Sequence, residues 1–152
     1  DEVVVAWPQD HLRTQAEAGL VDGRTVVCVL THDPRTEVPL LEVALRLPVA
    51  YVGAMGSRRS SEELLAALRS AGLDAELDRL HAPIGLDLGA RSAEEVAVSV
   101  MAEVIAARER RSGRPLSTLT GPVHARAATP GPASPAAAAA SGRPAPARPR
   151  SR

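Results

Sequence analysis

The stretch Leu47-Pro48-Val49-Ala50-Tyr51-Val52-Gly53-Ala54-Met55-Gly56-Ser57-Arg58-Arg59 decides the fold. Pro48 stops whatever precedes it, and Val49 to Val52 form a short apolar run suited to a buried strand. Gly53 and Gly56 permit backbone angles and close approaches that a Cβ would forbid, so the strand is expected to break at Gly53 and turn. Ser60 or Ser61 is placed to cap a following helix, where Glu62 and Glu63 suit the positive end of the dipole. A strand, a glycine turn with free amides and a helix start make an anion site, and Arg58 and Arg59 add charge beside it. Gly53, Gly56, Ser57, Arg58 and Arg59 are therefore a candidate phosphate cradle. The plain alternative is a tight turn with two solvated arginines.

Outward from that stretch, strand and helix patterns alternate. Upstream, Glu2 to Ala6 reads as a buried strand closed by Trp7-Pro8, and Gln9 to Ala18 as a short helix broken at Gly19. Thr25 to Leu30 is the strongest strand pattern, apolar on both faces as a central parallel strand should be. Glu37 to Leu47 follows as a helix with Leu40, Leu41, Ala44 and Leu45 in its stripe. Downstream, Ser61 to Ala71 is a helix ended by Gly72, while Asp74 to His81 has no clear pattern and Ala82 to Arg91 is a loop. Ser92-Ala93-Glu94-Glu95 is a capping box. It opens a helix from Ala93 to about Arg111, striped by Val96, Val100, Val104 and Ala107. Such alternation with short links predicts an α/β fold with a parallel sheet and flanking helices.

Composition sets limits. Every basic residue is arginine; residues 1–112 hold 12 of them against 18 acids, and residues 113–152 hold the remaining six with no acid. An acidic domain with a basic tail and only Trp7 and Tyr51 as aromatics suits neither groove reading nor base stacking, so no nucleic-acid partner is expected. No apolar run reaches the length of a membrane span, and no membrane partner is expected. Cys28 is alone, which excludes a disulfide framework, and mid-strand it reads as inert core. His11, His32, His81 and His124 lack ligand spacing, so no metal site is expected. Residues 1–112 are read as a domain and 113–152 as a disordered Ala/Pro/Arg-rich tail.

In parallel sheets, ligands sit beyond the carboxyl ends of the strands. Three loops rich in Gly, His, Asp and Arg fall at or near such ends: Thr31-His32-Asp33-Pro34, Gly53 to Arg59, and Ile84 to Gly89. Thr31, His32, Asp33, Ile84, Gly85, Asp87 and Gly89 thus join the cradle residues as candidates, with Asp33 equally suited to capping the next helix. Glu94 and Glu95 read as cap residues, Trp7 as packing, and no catalytic residue is assigned beyond nominating His32 and Asp33.

These segments also carry a family resemblance. Thr31-His32-Asp33-Pro34, Tyr51 to Arg59, His81-Ala82-Pro83-Ile84-Gly85-Leu86-Asp87-Leu88-Gly89-Ala90, and Glu94 to Ser99 with Ala102-Glu103 occur in an order and spacing similar to the C-terminal Rossmann-like domain of the XdhC/CoxI family of xanthine dehydrogenase accessory proteins. The resemblance covers residues 1–112. It implies a cytoplasmic maturation factor, a chaperone more than a catalyst, that binds molybdenum cofactor (molybdopterin) and delivers it to xanthine dehydrogenase-type molybdenum hydroxylases. A cysteine desulfurase or sulfurase is the further partner implied, and whether a homo-oligomer covers the open sheet edges is left open by the sequence. The family's upstream Cys-Gly domain and first glycine-loop strand have no counterpart here, and Arg35-Thr36-Glu37 lacks the family's aromatic. The chain is therefore expected to be part of a longer protein, with sheet edges open to wrong pairing. An NAD(P)-dependent oxidoreductase on the same fold is the alternative, although Gly53-Ala54-Met55-Gly56 lacks the dinucleotide spacing.

Overall fold

Among the described residues, β1 (Val26–Val29), β2 (Tyr51–Ala54) and β3 (Leu80–His81) form one sheet in that order, all parallel. The computed structural model describes residues 3–123. The chain divides into units 1–120 and 121–152, and of the second only residues 121–123 are described. Of the expected tail, residues 113–152, the part to residue 123 is described and holds a 3-10 turn at Leu116–Thr118, and the part from residue 124 lies outside the described residues.

Helices α1 (Pro8–Glu17), α2 (Pro34–Arg46), α3 (Arg58–Ser70) and α4 (Ala93–Arg108) accompany the strands. Two successive crossovers between neighbouring parallel strands, of the one hand such connections take, put α2 and α3 on one face. Side chains alternate across a strand, so β2 serves two cores. Val52 and Ala54 join Val29, Leu41, Ala44, Leu45, Leu64 and Leu68 beneath α2 and α3. Tyr51 instead packs with Val100 and Val104 of α4, and with Val26 and Ile84 beside them. Helix α4 is apolar on its outer side as well, where Val98, Met101 and Ile105 stand exposed. The parallel α/β architecture agrees with the sequence pattern.

The helix starts explain two shifts from expectation. Helix α2 begins at Pro34 rather than Glu37, because Asp33 caps it by accepting from the Arg35 amide at 3.0 Å, and Pro34 suits a first-turn position. Helix α3 begins at Arg58 rather than Ser61, because Ser57 and Ser60 form a reciprocal box. Ser60 N donates to Ser57 Oγ at 3.1 Å, and Ser57 N donates to Ser60 Oγ at 2.7 Å. Helix α4 has the expected box, Ser92 with Glu95.

Four readings are corrected. Residues 3–6 form no strand, and Val3 and Val5 are almost fully exposed, since no described strand pairs with their backbone. Strand β1 is an edge in this sheet rather than a central strand, which leaves Cys28 exposed. Partial burial still pushes the Cys28 thiol up, so its reactive thiolate is disfavoured. Trp7 is exposed just ahead of α1 instead of packed. Gly53 lies inside β2, opposite Cys28 and His81, and not in a turn. It serves close packing: a Cβ there would stand 2.5 Å from Ile84 Cδ1 and 2.8 Å from Tyr51 Cε1.

The open segment Asp74 to His81 holds a 3-10 turn, Leu77–Arg79, and the short β3. Arg79 donates from Nη2 to the carbonyls of Leu47 at 2.8 Å and Val49 at 3.1 Å. That clamp ties the connection after α2 to the strand edge. Leu68 is fully buried between α3 and the sheet. Leu68→Ala should lower unfolding free energy by about 2–5 kcal/mol in urea titration, whereas Val98→Ala should change it by about 0.5 kcal/mol or less.

Candidate functional site

The carboxyl ends of β1 and β2 open between the first turns of α2 and α3. A cleft of about 190 Å³ lies there, lined by His32, Pro34, Glu37, Val38, Met55, Ser60, Ser61, Glu63, Leu64 and Ala67. Its position follows from the fold, since parallel strands end where the following helices begin. Of the residues expected from sequence, only His32 lines this cleft.

The cleft's polar lining is dominated by acceptors and hydroxyls. Glu37 is 9% exposed and Ser61 5%, and neither side chain has a hydrogen-bond partner among the described residues. Burial raises the Glu37 carboxyl above its usual range, opposed by the nearby His32. Glu63 pairs with Arg59, Nε to Oε1, at 3.1 Å. Arg58 and Arg59 are exposed on the first turn of α3, and the Ser57–Ser60 box already occupies two groups at that helix start. Gly56 precedes the box; a Cβ there would stand 2.8 Å from Ser60 Oγ. Asp33 is engaged by its cap and by the Arg35 guanidinium at 3.1 Å, which together hold its carboxyl below the usual range. Thr31 Oγ1 accepts from the Asp33 amide at 3.2 Å.

The loop after β3 is organised from the other face of the sheet. Glu103, on the inner side of α4, accepts from Tyr51 Oη at 2.6 Å and from the Gly85 amide at 2.6 Å. Its other oxygen lies 3.1 Å from His81 Nδ1, which carries the proton because an ionised carboxylate only accepts. Burial pushes the Glu103 carboxyl up, but the bonds from Tyr51, Gly85 and His81 outweigh it and hold it below the usual range. Burial and the Glu103 charge push the Tyr51 phenol far above its usual range. The Tyr51 and His81 rings stack with centroids 4.5 Å apart.

Ile84 and Gly85 are thereby fixed: the Ile84 amide donates to Ala54 O at 2.9 Å, and Gly85 has φ +107°, with Ser99 Oγ 2.7 Å from where a Cβ would stand. Asp87 and Gly89 lie farther along the loop, and none of residues 84–89 lines the cleft. Glu95 accepts from the Arg91 and Ser92 amides, in keeping with its cap reading. Glu37 and Glu103 are the residues the sequence reading missed. Each had a signal, a lone acid on an apolar helical stripe: Glu37 with Leu41, Ala44 and Leu45, and Glu103 with Val96, Val100 and Ala107. No group of three or more His, Cys, Asp or Glu among the described residues is placed to hold a metal ion. No helix there is long and apolar enough to cross a membrane.

A parallel α/β sheet with a cleft beyond its strand ends defines a Rossmann-like domain. The chain belongs to the XdhC Rossmann domain family, whose model matches residues 2–104. It is 37% identical over 89 residues to the molybdenum cofactor insertion chaperone PaoD of Escherichia coli K12, covering 58% of this chain and 28% of that protein. Against the uncharacterized protein YqeB of the same organism it is 36% identical over 88 residues, covering 57% of this chain and 16% of YqeB. With a probable xanthine dehydrogenase subunit from Bacillus subtilis strain 168 it shares 28% identity over 110 residues, 72% of this chain and 30% of the relative. A crystal structure of a xanthine dehydrogenase from Bacillus halodurans superposes with a TM-score of 0.58 at 28% identity, covering 74% of this chain and 30% of that one. The chain thus spans less than a third of the length of each of these proteins.

Glu103 is held below the ordinary value of 4.5 in the folded state, so its contribution to stability is present above that value and lost as pH falls through its folded pKa. The stability gap between wild type and Glu103→Gln should therefore shrink between about pH 6 and pH 3 in urea unfolding. A gap constant across that window would contradict the assignment.

Proposed function

We propose that this chain is the cofactor-holding part of a maturation chaperone that binds molybdenum cofactor and delivers it to a xanthine dehydrogenase-type molybdenum hydroxylase. The observation that carries the reading is the cleft at the ends of β1 and β2, where buried Glu37 and Ser61 face open space without partners in an XdhC-family domain. The similarity to PaoD, a molybdenum cofactor insertion chaperone, supports the same reading.

The residues fit the organic part of such a cofactor. Glu37, His32 and Ser61 offer polar groups to a heterocycle, while Val38, Leu64 and Met55 offer apolar walls to its faces. Arg59, bridged to cleft-lining Glu63, and the neighbouring Arg58 supply positive charge for a phosphate. Thr31, Asp33, Gly53, Gly56 and Ser57 shape the strand ends and helix starts around the cleft. Ile84, Gly85, Asp87 and Gly89 form a second rim presented toward a client. When bound, the cofactor supplies the molybdenum chemistry of the client enzyme; this chain supplies binding, orientation and exclusion of water. A sulfurase that modifies the cofactor in place, and a second copy of the chain against the open β1 edge, complete the proposed partners, in the cytoplasm. The chain itself catalyses nothing in this reading. NAD(P) has no observation in its favour, since Gly53 lies within a strand and Gly56 precedes a closed serine box.

Co-expression with cofactor biosynthesis, followed by molybdenum and pterin analysis of the purified protein, tests this. Wild type joined to its family's upstream segment should retain both. Arg58→Ala should retain about tenfold less, as expected for loss of a charged hydrogen bond to phosphate. Absence of pterin from wild type, together with NADPH binding, would overturn the reading in favour of an oxidoreductase.

A further inference from the structure

Two mostly buried polar residues line the cleft with side chains that no hydrogen bond among the described residues engages, and they suit the same kind of ligand. Glu37 is 9% exposed and Ser61 5%, each on the buried side of its helix. A carboxyl group that is mostly shielded from bulk water and meets no donor of the fold is favourably completed by a ligand that brings donors to it. Gln9 Oε1 is the sealed polar atom without a partner among the described residues, so the oxygens of Glu37 and Ser61 open onto the cleft they line. The other titratable groups lining the cleft are His32 and Glu63, with Arg59 held on Glu63.

Shape narrows the ligand. A volume of about 190 Å³ is below the roughly 300 Å³ at which clefts for whole drug-sized ligands begin, so it takes one ring system and not a dinucleotide. Val38, Met55, Leu64 and Ala67 give apolar surface for the faces of a flat ring. A metal ion would require converging ligands, and no such group exists among the described residues. A lining that combines acceptors with apolar surface suits a flat heterocycle carrying adjacent N–H donors.

We infer that the Glu37 carboxylate binds the 2-amino-4-oxopyrimidine edge of a pterin, accepting from the exocyclic amine and the adjacent ring N–H, with the Ser61 hydroxyl available to the ring carbonyl. A carboxylate accepts two parallel N–H donors in the way it accepts an arginine fork. The inference rests on the proposed cofactor role for the choice of a pterin, because guanine presents the same edge. It adds the orientation: the ring enters between α2 and α3, and any phosphate stays outside near Arg58 and Arg59.

The full chain titrated with fluorescent 6-hydroxymethylpterin, its 2-oxo analogue (a lumazine) and guanosine provides the test. The pterin should bind at least about tenfold more tightly than the lumazine, which lacks the exocyclic donor. Glu37→Gln should erase that preference and weaken pterin binding about tenfold or more, and Ser61→Ala should weaken it severalfold. Burial disfavours the ionised form of Glu37, so Glu37→Gln should melt at or above the wild-type temperature at neutral pH, which separates lost binding from lost folding. Equal affinity for pterin and lumazine, no binding of either, or a preference that survives Glu37→Gln would overturn the inference. Guanosine binding more tightly than pterin would overturn the choice of ring. A Glu37-dependent pterin preference in a protein that never retains molybdenum would count against the proposed function alone. Retained cofactor with no Glu37 dependence would count against this inference alone.

Discussion

The carboxylate of Glu103 is the point on which the α4 side of the molecule depends. Strand β3 spans two residues, too few to hold its place through ladder hydrogen bonds alone. Glu103 supplies what the ladder lacks by bonding Tyr51 on β2, His81 on β3 and the Gly85 amide at the start of the following loop. One side chain from α4 thus joins two strands and a loop. Removing it would strand the buried Tyr51 hydroxyl and the Gly85 amide together, and unsatisfied groups cost more than the bonds themselves contribute. Gly53 belongs to the same unit, because only a residue without a Cβ leaves room for Ile84 beside Tyr51.

Glu37 and Glu103 make an informative contrast. Both are acids on apolar helical stripes, packed toward opposite faces of the sheet. Glu103 meets three donors and is held ionised, so its burial is explained by the fold. Glu37 meets none and is pushed toward protonation, so the fold gains nothing visible from it. A carboxyl group perturbed by burial and lining a cleft marks a candidate functional site. That difference sets the structural role of Glu103 on one face against the binding role proposed for Glu37 on the other.

Much of the fold was legible because its signals are local. Val26 to Val29, the leucine stripes of α2 and α3, and the Ser92–Glu95 box each declare an element within a few residues. Legibility failed where partners decide. Val3 to Ala6 has a strand's composition but nothing described to pair with, and Leu80-His81 has no pattern yet pairs with β2. Ser57 and Ser60 cap each other, which moved Arg58 and Arg59 from a turn onto a helix. The three candidate loops do follow the carboxyl ends of β1, β2 and β3, but the cleft's Glu37 and Ser61 sit on helices that sequence reading treated as core. A charge on an apolar stripe shows that something unusual is buried there; only the packing shows whether it is satisfied.

Amide hydrogen exchange at Gly85, compared between wild type and Glu103→Ala, tests the organising role of Glu103 most directly. The account predicts exchange at Gly85 faster in the variant by on the order of a hundredfold, with Leu41 and Leu68 protected as before. Protection of Gly85 unchanged by loss of the carboxylate would contradict it.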